Sequence, residues 1–514
     1  MSVRKNLLVM VVSLCPILYG CEDEQYPEGR VEADVRFLAD DLLEGRATPS
    51  EGLEVAALYL ANQLRAAGVE PGVDGSYFQP YEVGVFDPTE AQYRISINGV
   101  PIPQSQYLFW SMGLRPEETP VEYDLVYAGH GIALPEEGVD DFRDLDVAGK
   151  GVVALRGAPW ELDPHQFFAP DQGIGKAVQA AARNGAMMVY VSDEMSGGSP
   201  AETSPELMFI STMAGQSLTQ LIEDPRTSAF STPYLIIGPE VFNRALAGPA
   251  GGTYAELQAS LAAGESAKGA IPATVRIEID VETTNHSVSN VIGVLPGTDP
   301  VLRDEWVVLT AHFDHVGVYP MPPGVDGINN GADDNASGTA AVLEVARRLA
   351  GEDDLKRSVA FAFVSGEEKG LVGSHYYAAH PVSPLNQTVV NINVDMVGRS
   401  DGTAQGIAPA NDDLFAKAVE LGAEAGLTIL PDQQPTWRLS YFTDSYHFAK
   451  HDIPAIFFFT ALHEDYHQPS DEVEKVNFTG LGQVVNMLTE LTEYYAEGAE
   501  RPQHQRPAWF ITPR

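Results

Sequence analysis

The sequence predicts an α/β fold: a mostly parallel mixed sheet with helices on both faces, plus a smaller inserted α/β unit. Three observations predict it. Short apolar runs alternate with helical spacings from about residue 285 onward, the pattern of strands joined by crossover helices. Several of those runs end in His, Asp or Glu, and open α/β sheets place their chemistry at the carboxyl ends of strands. A change of texture near 115–125 then opens a βαβ-like block with no dense His or carboxylate cluster.

The bulk numbers narrow the function. The chain has 514 residues, enough for more than one domain. It carries 31 Lys and Arg against 72 Asp and Glu, a net charge of −41. Such a surface repels phosphate backbones, which argues against a nucleic-acid partner. Both cysteines, Cys15 and Cys21, lie at the start. Nothing after Cys21 can form a disulfide or a thiolate site, so any metal must be held by His, Asp and Glu.

Residues 1–21 read as an export signal. Arg4 and Lys5 precede an apolar run over 7–18 that is too short to span a membrane comfortably. Leu18-Tyr19-Gly20-Cys21 resembles a lipobox, although Tyr19 is bulky for it. The expectation is a lipoprotein-type signal peptide with a lipid anchor at Cys21, otherwise a periplasmic or secreted protein. A short acidic tether, Glu22-Asp23-Glu24, follows.

The remaining elements follow from periodicity. Residues 31–44 carry Val31, Val35, Leu38 and Leu42 at helical spacing. Residues 54–67 repeat the pattern and stop at Gly68, a C-cap. Residues 77–110 alternate like strands, with an Asn98-Gly99 turn. Within the block to about 269, strands are expected at 123–131, 149–157 and 185–191 and a helix at 176–184. His130 and His165 stand apart in sequence and read as structural or surface residues. Beyond 285, strands are expected at 289–295, 306–311, 358–364, 389–394 and 455–459. Helices are expected at 338–349, 412–425 and 478–495.

Five polar stretches punctuate this pattern. Val307 to Gly317 is a buried strand running into His312, Asp314 and His315. Alone, His312 reads as a residue that merely caps a loop. His-x-Asp is nonetheless useful, because a ligating imidazole usually donates its other N–H to an oxygen that fixes its tautomer. Gly331-Ala-Asp-Asp-Asn-Ala-Ser-Gly338 sets two carboxylates before a helix, one more than an N-cap needs. Ser365-Gly-Glu-Glu368 follows the next strand. Adjacent extended residues point opposite ways, so one Glu can bind a metal while its neighbour reaches a water. Asn393-Val-Asp395 ends a fourth strand, and Glu464-Asp-Tyr-His467 follows the Phe-rich fifth. His, Asp, Glu, Asp and His at successive strand ends suit zinc or a similar divalent ion.

In these motifs the chain resembles the co-catalytic dizinc aminopeptidase family, relatives of secreted bacterial leucine aminopeptidases. That family also includes glutamate carboxypeptidase, glutaminyl cyclase and the transferrin receptor ectodomain. The resemblance covers roughly 30–110 and 285–500. It implies a zinc-dependent exopeptidase fold, with 30–114 as the N-terminal part of the peptidase domain and 285–500 as its catalytic core. Residues 115–275 more loosely resemble a protease-associated inserted domain. The resemblance implies two Zn2+ ions held by His312, Asp333, Glu368, Asp395 and His467. It makes Asp333 the bridge, followed by a cis peptide bond to Asp334, with His315 and Asp334 as supporting residues. Glu367 is the implied general base, Asp314 orients His312, and Tyr466 steadies the tetrahedral intermediate. The implied activity is removal of N-terminal residues from peptides. A carboxypeptidase, a glutaminyl cyclase-like enzyme and a non-catalytic receptor are the alternatives on the same fold. Thr443-Asp444-Ser445 departs from the usual Ser-Asp-His and leaves specificity open.

Overall fold

The computed structural model describes residues 28–510, apart from 111–112, 161–168, 197–198, 201–203, 205–206, 208–209, 212–217, 225–230, 266–267, 353–354 and 508–509. The expected signal segment, Cys15, Cys21 and His165 lie outside the described residues.

Two sheets organise the chain. The larger runs, edge to edge, Leu218–Leu221, Phe78–Phe86, Thr284–Leu295, Ser358–Val364, Trp306–His312, Thr388–Val394, Ala455–Phe459, Thr403–Ile407 and Thr428–Leu430. Its four central strands, from Ser358–Val364 to Ala455–Phe459, are mutually parallel. The Thr284–Leu295 and Thr403–Ile407 strands flank them antiparallel. The sheet is therefore parallel at its centre and mixed outside it. Periodicity marks which face a residue takes but not the direction of its neighbour.

The central strands are buried on both faces, as parallel strands under helices must be. On one side Val307, Leu309 and Ala311 pack in a core with the helices Glu51–Ala67, Gly338–Leu349 and Phe478–Ala496. On the other, Val308, Ala360 and Ala362 meet Tyr377 and Phe448. The 51–67 helix begins at Ser50, whose side chain accepts from the Leu53 N–H, and ends at Gly68 with φ +85°. Both caps satisfy groups the helix leaves unpaired.

Register decides which strand ends meet. His312 lies beside Val364, and Thr310 lies beside Asn393. The chain thus leaves His312, Ser365 and Asp395 at one rim of the sheet.

The smaller sheet runs Val100–Ile102, Gln92–Ile97, Gly269–Asp280, Val121–Tyr127, Gly151–Leu155, Met187–Val191, Tyr234–Ile237 and Tyr107–Trp110. It takes in Gln92–Ile97, Val100–Ile102 and Tyr107–Trp110, all of which precede residue 114. The strands over 92–110 alternate as expected but pair with this sheet. Conversely, Leu218–Leu221, inside the expected insert, adds an edge strand to the larger sheet. Alternation alone does not name a partner.

The two sheets interlock near the rim. Trp437, Leu462 and Tyr466 pack against the smaller sheet's core and against Phe457 and Phe459 of the larger, and Phe442 packs against the smaller sheet's core and the Tyr377–Phe448 side of the larger. Arg438 pairs with Glu136 across the same seam.

Candidate metal centre

Two groups of donors converge at the rim, and Asp334 belongs to both. The first is His312, Asp334 and Asp395; the second is His315, Asp334, Glu368 and His467. Within each, the ligand atoms lie within 4.8 Å of one another. His312 Nε2 is 3.4 Å from Asp334 Oδ1 and 3.2 Å from Asp395 Oδ1. His467 Nε2 is 3.3 Å from Asp334 Oδ2 and 3.1 Å from Glu368 Oε2. Ligand bonds of about 2.0–2.1 Å at tetrahedral angles require donor–donor edges of roughly 3.3–3.4 Å. The donor chemistry and spacing both fit zinc.

Neighbouring groups hold these donors in place. His312 Nδ1 faces the Asp314 backbone carbonyl at 3.2 Å and its carboxylate at 3.6 Å. Asp314 also accepts from Thr48 Oγ1 at 3.2 Å and from the Glu367 N–H at 3.2 Å. One buried carboxylate therefore steadies both an imidazole and the segment that carries Glu367. Asp471 does the same for the acidic loop. Its Oδ2 accepts the N–H groups of Asp333 (2.9 Å) and Asp334 (3.1 Å), while Oδ1 accepts from Arg399 (2.7 Å).

The electrostatics call for a cation. Asp334 is buried, yet His315, His312 and His467 hold its carboxyl well below the usual range. Glu368, likewise buried, is brought down to about 2 by His467 and other contacts. Burial works against charge on His467, but Glu368 and Asp334 outweigh it and raise its pKa to about 10. Glu367 behaves differently. Burial lifts its carboxyl well above the usual range, His312 pulls it back, and Glu368, Asp444 and Asp395 add to the rise.

A pocket opens over the carboxylates. Glu367 and Asp395 line its floor, and Met396, Leu439, Phe442, Phe459, Leu462 and Tyr466 wall it. The Tyr466 ring stacks on His467, with centroids 3.8 Å apart.

His312, Glu368, Asp395 and His467 come together at the places expected of them. Glu367, Asp314 and Tyr466 lie around them. Asp333 does not. Its Oδ1 accepts from Gly398 N at 2.6 Å and from Ser337 Oγ at 3.2 Å. Its Oδ2 meets His463 Nε2 at 3.0 Å. These three partners commit Asp333 to holding the loop, and Asp334 is the carboxylate between the donor groups. The cis peptide bond likewise lies at Asp334-Asn335, one residue beyond its expected place. Adjacent aspartates in a loop carry no periodicity to tell them apart. Two histidines were under-read. His315 is a member of the second group, and its place three residues after a strand end is a usable signal. His463 gave none, because it acts through Asp333. His130 is buried on the smaller sheet, with Nδ1 3.5 Å from the Leu155 carbonyl, far in the topology from either donor group.

Fold and site define a mixed α/β protein with a paired His/carboxylate metal pocket at its strand ends. Residues 290–492 match Peptidase family M28. Aminopeptidase YwaD of Bacillus subtilis is 37% identical over 118 residues, 23% of each chain. Aminopeptidase NAALADL1 of Mus musculus is 32% identical over 181 residues, 33% of this chain and 22% of its own length. These curated relatives are thus matched over less than a quarter of their length. Among solved structures, the aminopeptidase from Aneurinibacillus sp. strain AM-1 is similar, with a TM-score of 0.49 at 20% identity. The match covers 95% of this chain and 97% of that one.

Proposed function

We propose that the protein is a zinc-dependent aminopeptidase that removes N-terminal residues from peptides, with two metal ions and Glu367 as general base. The observation that carries this reading is the Asp334 carboxylate shared between two donor groups, with Glu367 lining the pocket beside it. His312, Asp334 and Asp395 would hold one ion; Asp334, Glu368 and His467 would hold the other. Bound zinc ions lower the pKa of a water and polarise a carbonyl.

The chain's own residues do the rest. Asp314 fixes the His312 ring and the backbone of Glu367. Glu367, raised by burial, takes the proton of the attacking water and passes it to the leaving amine. Burial keeps the Tyr466 hydroxyl protonated, so it can donate to a developing oxyanion. The apolar walls favour a substrate whose terminal side chain is apolar. The smaller sheet, read as a protease-associated insert, supplies part of the seam behind those walls.

The test is release of p-nitroaniline from aminoacyl-p-nitroanilides with free or acetylated amines, with and without a zinc chelator. Chelator-sensitive cleavage of the free-amine substrates alone is expected. Protein that holds about two zincs and cleaves none of them is not an aminopeptidase.

The same proposal has the protein exported and anchored through a lipidated Cys21. The mass of the N-terminal peptide from a membrane fraction checks this, and an unmodified Cys21 in soluble protein rules the anchor out. No helix among the described residues is long and apolar enough to cross a membrane.

A further inference from the structure

The two donor groups are unequal, and the inequality is His315. We infer that His315 is a direct ligand of the second metal ion, which gives that ion four protein donors where the first has three. The inference rests on the dizinc reading above.

Two observations carry it. First, His315 Nδ1 faces the same two carboxylates as His467 Nε2. It is 2.8 Å from Glu368 Oε1 and 3.6 Å from Asp334 Oδ2. Glu368 thus turns one oxygen to each imidazole, and the four residues converge as a closed set. Four protein donors are what a closed zinc site has, whereas three leave a position for water or substrate.

Second, the ring cannot turn away. His315 is completely buried, and its N–H is tied to the Arg46 carbonyl at 3.2 Å. Gly331, at φ +57°, lies against the ring, and a Cβ there would fall 2.6 Å from His315 Cγ and Cδ2. Only glycine lets the loop backbone press on this imidazole.

The ring's polar contacts are all on the side of Glu368 and Asp334; its far nitrogen, Nε2, is buried with no hydrogen-bond partner among the described residues.

The consequence is a division of labour. With four protein donors the second site would fill first, and His312, Asp334 and Asp395 would hold the other ion with a position left for water or substrate.

The experiment reads metal binding, not turnover. Metal-free full-length protein is titrated with zinc against a chromophoric chelator, and X-ray absorption at one equivalent counts imidazoles per zinc. Wild type is expected to bind a tight first equivalent with two imidazoles and a weaker second. His315→Ala should weaken the first equivalent by more than about 100-fold, beyond the 10–100-fold that losing an orienting partner costs. His315→Asp should restore much of the loss. One imidazole per zinc in wild type, or a loss within 10–100-fold in His315→Ala, overturns the inference. If His315→Ala does not fold, the imidazole count in wild type still decides. Wild type that binds no zinc would instead sink the dizinc reading itself.

Discussion

The two sheets are built to one recipe and do different things. Both have a parallel centre whose strands are buried on both faces. In the larger sheet those strands run out into His312, Glu367, Glu368 and Asp395. In the smaller they run out into Ala128-Gly129-His130, Arg156-Gly157 and Ser192-Asp193. The space at that rim is taken by the Lys176 ammonium, which donates to the carbonyls of Leu155 (3.1 Å) and Gly157 (2.8 Å). A parallel sheet therefore supplies only a rim where chain ends converge. What happens there depends on the few residues after each strand.

The largest effect should separate the sheets outright. Asp334→Ala removes the carboxylate both donor groups share, so zinc content should fall from about two to near zero and turnover with it. His130→Ala, at the matching rim of the smaller sheet, should change neither. Metal analysis of the two purified variants decides this, and an Asp334→Ala protein that retains two zincs would refute it.

Next comes a contrast within the larger rim. Glu367→Gln should keep its zinc and lose about 10²–10⁴-fold in kcat, the usual contribution of a positioned base. Loss of metal together with turnover would make Glu367 a ligand instead.

A smaller effect is expected one shell out. Asp471→Asn weakens the acceptor of two loop N–H groups and of Arg399. Zinc affinity should drop about 10–100-fold while the imidazole count stays the same. Chelator competition measures it, and unchanged affinity would show that the loop holds itself.

The smallest effect concerns pH. Each sheet packs one neutral imidazole away from the donors. Burial, then Lys450, His375 and His451, hold His447 well below its usual 6.5. Burial and Lys176 lower His130 as well. For a depressed pKa the unfolded chain takes the proton first. The associated stability is therefore intact above about pH 6.5 and declines as pH falls toward the folded value. For His447 the slope is at most about 1.4 kcal/mol per pH unit. Denaturant midpoints of His447→Asn from pH 7.5 to 5.5 should decline less steeply than those of wild type. Parallel declines would show that His447 adds nothing.

Much of this was legible in the sequence. The Ser358–Val364 and Ala455–Phe459 strands and the Gly338–Leu349 helix fall where periodicity put them. Burial on both faces leaves continuous apolar runs that end sharply. The metal pocket was legible as residue types at strand ends, because His, Asp and Glu after such runs have few structural uses. Register among neighbours was not. Asp333 and Asp334 differ in role through a local backbone geometry and through Gly398, Ser337 and His463, none of which sequence spacing reveals. The partner of each alternating strand was equally hidden, which is why residues 92–110 joined the other sheet.

The seam has one more consequence. Trp437, Phe442, Leu462 and Tyr466 wall or back the pocket while packing into the smaller sheet's core. Anything that fills the pocket is gripped by side chains rooted in both sheets. Occupancy of the pocket therefore acts as a bolt between them: binding that favours the folded rim raises the melting of the two sheets together, and a loosened smaller sheet is felt at the donor residues.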